Sequence, residues 1–218
     1  MKLKFFVVFI AMAMVFAFSY NADAQMTTDV ILIRVGYIPM YTVTSDEVVR
    51  EDGFVIDDDP DDMEHNGYAL NGEYNLNMSP VWIGIGLEYQ YTIEDEDDNI
   101  AQFIMPQANI KFVTAAGFYV GAGLAGKYMM SYSYEGDDDE DVDVDKEIDL
   151  WANGIVGIIM PIGEGLFFNL EGRFGYNLTN NQYENGSIDN MDYEIKTNSA
   201  YDIGIYAGIG FRAEYTGI

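Results

Sequence analysis

Apolar and polar positions alternate with a period of two in eight segments of this chain, spanning residues 30–43, 67–78, 81–93, 100–113, 117–134, 148–162, 165–178 and 199–216. In each segment one parity carries no Asp, Glu, Lys or Arg. The last is the clearest: Tyr201, Ile203, Ile205, Ala207, Ile209, Phe211, Ala213 and Tyr215 share one side, opposite Asp202, Gly204, Tyr206, Gly208, Gly210, Arg212 and Glu214. Successive side chains of a strand point to opposite faces, so a charge-free face beside a charge-tolerant one implies two different surroundings. The pattern predicts eight strands with an apolar face turned to lipid. Each is long enough to cross a hydrocarbon layer, which takes about 9 to 11 residues of tilted strand. Strands of a soluble sandwich average only about 5 or 6.

The connections support the same reading. Residues 44–66, 94–99, 135–147 and 179–198 follow the odd-numbered segments, whereas only Ser79-Pro80, Thr114 to Ala116 and Gly163-Glu164 follow the second, fourth and sixth. Long external loops alternating with short periplasmic turns are the habit of outer-membrane barrels. Tyr41, Tyr68, Tyr89, Tyr91, Tyr132, Tyr134, Tyr176 and Tyr201 map to the external rim of the lipid face, and Phe112, Phe118, Phe211 and Tyr215 to the periplasmic one. Such paired aromatic belts suit the two interfaces of a bilayer. Gln102 is the one strongly polar residue on the lipid face, and Pro106 predicts a bulge, because proline removes a ladder hydrogen bond where a closed barrel has no edge.

Composition adds direction to this picture. Lys2 and Lys4, the apolar run from Phe5 to Phe18 and the small-residue site Ala22-Asp23-Ala24 read as a signal peptide over residues 1–24, leaving a barrel domain over 25–218. The apolar run is too short for a spanning helix, which needs about 20 residues. The chain has 37 acidic and 10 basic residues and a formal charge of −27, which disfavours binding to nucleic acid. Of the acids, 28 fall in the four long connections. Cysteine is absent, so no disulfide framework is available.

With these strands in place, the chain resembles the small eight-stranded outer-membrane barrels of the OmpA/OmpX type over residues 25–218. The resemblance lies in strand count, loop asymmetry and the terminal strand Ile209-Gly210-Phe211-Arg212-Ala213-Glu214-Tyr215. It implies an all-β, eight-stranded antiparallel up-and-down transmembrane β-barrel in the bacterial outer membrane. It further implies recognition of the terminal strand by the barrel assembly machinery, although the family usually ends on an aromatic residue and here Thr216-Gly217-Ile218 follows. The separate periplasmic domain of OmpA-type proteins is not expected. A monomer in contact with outer-membrane lipid and lipopolysaccharide is.

The inward parities carry Arg34, Lys111, Lys127, Arg173 and Arg212 against Glu73, Glu88, Asp149, Glu171, Asp202 and Glu214. An eight-stranded barrel is only wide enough for side chains to fill, so a paired structural core is favoured over a gated ion path. Arg34, Glu73, Glu88, Glu171, Arg173 and Arg212 are expected near one mid-depth layer, with Glu214 on the same face.

Acids alternate at Asp137, Asp139, Asp141, Asp143 and Asp145, superficially like a calcium loop. However, Val142 stands where such a loop needs glycine, and like-charge blocks usually remain solvated. Weak divalent-cation association is the most this run predicts. His65 is the sole histidine and is expected in the first external loop, near the height of Ser45, Ser131 and Ser133 but without positioned partners. Neither catalysis nor a cofactor is expected. The sequence therefore predicts a filled barrel with a structural or surface-interaction role through its acidic loops. The alternative is transport of a small or hydrophobic solute through a narrow channel, as in the similar OmpW-type barrels.

Overall fold

The computed structural model describes residues 29–50, 55–57, 63–94, 100–133, 148–179, 185–188 and 191–213. The proposed signal peptide, residues 95–99 and 134–147, Glu214 and Tyr215 lie outside them, as does the Asp137 to Asp145 run. The described strands are β1 (Asp29–Arg50), β2 (Val55–Asp57), β3 (Met63–Met78), β4 (Val81–Glu94), β5 (Ile100–Val113), β6 (Phe118–Ser133), β7 (Ile148–Gly163), β8 (Leu166–Asn177), β9 (Asn185–Ile188) and β10 (Met191–Ala213). Eight of them form the wall in the order β1-β3-β4-β5-β6-β7-β8-β10, and pairing of β10 with β1 closes it. Every pairing is antiparallel and sequential neighbours adjoin, which is an up-and-down barrel. Closure leaves the wall without an edge, so its backbone polar groups are satisfied within the lipid layer.

Exposure follows the charge-free parity. Val35, Tyr68, Ile85, Ile110, Phe118, Leu124, Val156 and Ile205 all stand exposed on the outside. On that face the Tyr89 hydroxyl donates to Gln102 Oε1 at 2.8 Å, which satisfies the polar intruder. The short turns fit their residues: Gly117 (φ 85°) and Gly165 (φ 69°) take a left-handed conformation that disfavours a side chain.

The structure departs from the sequence reading at three places in the wall. Tyr41, expected on the external lipid rim, is buried inside. Register shifts between Tyr37 and Met40 against β10, and between Ile38 and Tyr41 against β3, insert a bulge at the Pro39 region that reverses parity beyond it. Conversely, no register change occurs at Pro106. It faces outward opposite Leu87, and the β5–β6 register is the same at Ile104↔Tyr128 and Gln107↔Ala125. The β6 ladder steps over Met105 and Pro106, so the missing donor is accommodated there; the shift lies between Gln102 and Phe103. Finally, the spans 44–66 and 179–198 are not simple loops. β1 and β10 continue as a pair to Arg50↔Tyr193, flanked by β2 and β9. β-branched Val48 and Ile195, paired in this extension, suit a strand.

Candidate functional site in the lumen

Inward side chains fill the barrel in three tiers. Near the short turns, Val30, Leu32, Trp82, Ile155, Ile159 and Phe167 pack with Tyr119. Toward the external end, Ile38, Tyr41, Val43, Ala101, Phe103, Met129 and Trp151 form a second apolar tier that extends to Tyr206. The charged cluster lies between them.

Arg34 on β1 organises that cluster. Its guanidinium bonds Glu73 on β3 and Glu171 on β8, and also donates to Asn71 Oδ1 at 2.6 and 3.0 Å. Lys111 on β5 bonds Glu73 and stands 3.4 Å from Glu171 Oε2. Arg173 on β8 reaches Glu88 on β4 and Glu171, both at 2.7 Å, and Gln107 Oε1 at 3.0 Å. Glu88 further accepts from Asn71 Nδ2 (3.0 Å), Gln90 Nε2 (2.8 Å) and the Tyr206 hydroxyl (2.9 Å). Glu171 accepts the Tyr119 hydroxyl at 2.8 Å, and that oxygen accepts Asn169 Nδ2 at 2.8 Å. The six charged members are at most 5% exposed, and they comprise three cations and three anions. Charges removed from water are costly unless paired and hydrogen-bonded, and here each carboxylate has several donors.

Two tyrosines brace the cluster by lying over glycines. A Cβ at Gly36 or Gly204 would meet the Tyr206 ring at 2.6 Å, and one at Gly157 would meet the Tyr119 ring at 2.4 Å. Wall positions that lack a side chain thus hold the rings flat and aim their hydroxyls at Glu88 and Glu171.

Arg34, Glu73, Glu88, Glu171 and Arg173 therefore lie together, whereas Arg212 does not join them. It is exposed, pairs with Val30, and its N–H donates to Gly165 O at 2.8 Å in a short turn, so its depth is that of the periplasmic rim. Lys111 takes the place in the layer that distance along the strands assigned to Arg212. Asn71, Tyr119 and Tyr206 were not singled out by the sequence. Their signal is inward parity joined to a glycine or a charged residue on the adjoining strand.

His65 is likewise relocated. It is buried on β3, paired with Tyr41, with the two rings 5.2 Å apart, because β3 begins at Met63 and His65 has its inward parity. The side chains of Ser45 and Ser133 lie outside the described part. Beside this pair, the Lys127 ammonium sits in an aromatic box, 3.7 Å from the Tyr41 ring centroid, 4.3 Å from Phe103 and 4.5 Å from Trp151. Ring quadrupoles attract a cation most strongly when it is desolvated. Its nearest carboxylate oxygen is Asp202 Oδ2, at 3.9 Å.

A closed eight-stranded wall, apolar outside and packed with paired polar groups inside, defines an integral β-barrel of the bacterial outer membrane. No protein-family model matches the chain, and no curated protein matches it. Among solved structures, the outer membrane protein AlkL is similar at 9% identity, covering 91% of this chain and 97% of that one with a TM-score of 0.52. Neisserial surface protein A is similar at 12% identity over 84% of this chain and 97% of that one, with a TM-score of 0.46. OprG from Pseudomonas aeruginosa is 12% identical over 88% of this chain and 100% of that one, with a TM-score of 0.39. The likeness to AlkL is one of fold. Together with the strand count, it makes this chain a small eight-stranded outer-membrane barrel, consistent with the OmpA/OmpX type.

Proposed function

We propose that this protein is a sealed barrel with a structural and surface-interaction role, its contact surface lying in the acidic external segments. The observation that carries this reading is the filled lumen: two apolar tiers bracket a neutral ion-pair layer whose members are at most 5% exposed. Eight-stranded walls leave space for side chains and little else. Outside the bilayer, the β1–β10 pair continues as a ledge flanked by β2 and β9, in segments carrying fourteen acids against Arg50 and Lys196. A rigid scaffold that presents charged segments suits recognition. The role is non-catalytic and needs no cofactor, and the protein acts as a monomer held by outer-membrane lipid and lipopolysaccharide. Weak divalent cations at Asp137, Asp139, Asp141, Asp143 and Asp145 fit the same surface.

Planar-bilayer recording of the refolded protein tests the reading. A silent membrane is expected, and a steady resting conductance or solute-dependent current would replace it with transport. Deleting residues 135–147 is expected to leave the barrel folded and to remove adhesion of cells that display it. Unchanged adhesion would move the contact surface elsewhere.

A further inference from the structure

The apolar outer face is interrupted near its external rim. Gln102 stands there on β5, and the Tyr89 hydroxyl on β4 donates to its Oε1 at 2.8 Å. That bond serves the carbonyl oxygen alone: the amide nitrogen, with two N–H donors, has no protein acceptor among the described residues. A polar group without a partner is costly in an apolar solvent, so its depth decides what can serve it.

A break in the ladder brings a second polar group to the same place. Up to Met129 the odd-numbered residues of β6 face inward, and Ala125, Lys127 and Met129 are buried. Continued alternation would turn Ser131 inward too. The register shift between Gln102 and Phe103 leaves Met130 unpaired in β6, and beyond this bulge Ser131 stands directly opposite Gln102. Residues opposite one another in antiparallel strands share a face, so the extra residue delivers Ser131 to the outside. On the other flank, Tyr91 of β4 is also opposite Gln102. Ser131, Gln102 and Tyr91 thus form a row across three adjacent strands, which lie about 4.8 Å apart.

Depth follows from the strand. Gln102 lies ten residues above Phe112, which marks the periplasmic rim of β5. At about 3.4 Å per residue and a tilt of about 40°, that is a height of roughly 26 Å, against an apolar band about 25 Å tall. The row therefore meets the outer leaflet where acyl chains join headgroups. Carbonyl oxygens and hydroxyls abound at that level, and they suit amide and hydroxyl donors. Phosphate suits the row less, since no Lys or Arg stands on this face among the described residues and the external segments are acidic. A row about 10 Å long calls for a headgroup with several hydrogen-bonding groups side by side. An acylated disaccharide has them, whereas the glycerol of a phospholipid offers only its pair of ester carbonyls.

We propose that Gln102, Ser131 and Tyr91 form a docking row for the outer-leaflet glycolipid, bonding sugar hydroxyls and acyl carbonyls of lipopolysaccharide, while Tyr89 holds the Gln102 amide in place. This deepens the reading of the protein as held by lipopolysaccharide, and it rests on that reading. The tyrosines contribute an apolar ring to the chains and a hydroxyl to the sugar, which suits a boundary between two solvents.

Native mass spectrometry tests this, with the barrel refolded in detergent and offered equal amounts of deep-rough lipopolysaccharide, phosphatidylethanolamine and phosphatidylglycerol. The wild type is expected to retain the glycolipid in preference. Gln102→Leu combined with Ser131→Ala is expected to retain about tenfold less, as the loss of two neutral hydrogen bonds implies. Tyr176→Phe, on the exposed rim of β8, is expected to keep it. A matching loss in Tyr176→Phe would make the contact general to the aromatic rim and overturns the docking row. Unchanged retention in the double variant also overturns the row, and leaves the wider contact with lipopolysaccharide standing. Preferential retention of either phospholipid by the wild type overturns the assigned occupant, and retention of no lipid overturns both the row and the reading beneath it. Should the double variant fail to fold, seen as loss of heat-dependent gel migration, Ser131→Ala alone against Tyr176→Phe gives the decision: equal retention in the two overturns the proposal.

Discussion

Arg34 and Val35 are neighbours in sequence and obey opposite rules. Arg34 is wholly buried between Glu73 and Glu171, so Arg34→Ala takes from two buried carboxylates a counter-charge that both share. A loss of about 3–5 kcal/mol is expected, as for other buried pairs broken from one side, read from urea unfolding of the lipid-bound barrel. Val35 is 64% exposed, a position where arginine would be harmless in a soluble protein. In a bilayer, Val35→Arg is expected to cost roughly 2–4 kcal/mol in the same assay. A neutral result would mean that this face does not meet lipid. The alternation made both residues legible, because a change of one position changes the solvent. It did not reveal that Lys111, and not Arg212, completes the ion layer. Depth counted along separate strands ignores the stagger between them, which only the cross-strand register supplies.

At the scale of the strand, parity is legible until a bulge resets it. The bulge near Pro39 turns Tyr41 inward, and Tyr41 forms one wall of the Lys127 box. The bulge is one extra residue, so deleting Met40 leaves regular alternation with Tyr41 still inward and is expected to keep the box. Tyr41→Ala instead takes the closest ring from the ammonium, so lower stability is expected together with a shift in Trp151 emission, measured by fluorescence against a Trp82→Phe background. Unaltered emission would show that Tyr41 does not wall the box. Glycine spacing carries similar information. Gly36→Ala places a methyl where the Tyr206 ring lies, 2.6 Å from its nearest atom, and overpacking of this kind costs about 1–3 kcal/mol in urea melts. Glycines were readable as room for large neighbours, but which ring fills each gap depends on pairings between strands far apart in sequence.

For the whole molecule, closure is the feature that period-two alternation implies without displaying. A closed wall resists detergent, so unheated protein is expected to migrate on a denaturing gel apart from the boiled form, and an Arg34→Ala sample should convert at lower temperature. The ion layer also bears on how the barrel assembles. Its hydrogen-bonded members come from β1, β3, β4, β5, β6, β8 and β10, so no hairpin or half-sheet can satisfy them. A partly zipped intermediate in the membrane would hold naked charges in a poor solvent, as would one joined a residue out of register. The interior thereby acts as an inspector of its own enclosure: it penalises every incomplete or misaligned barrel and releases the penalty when the last seam, β10 to β1, is drawn shut.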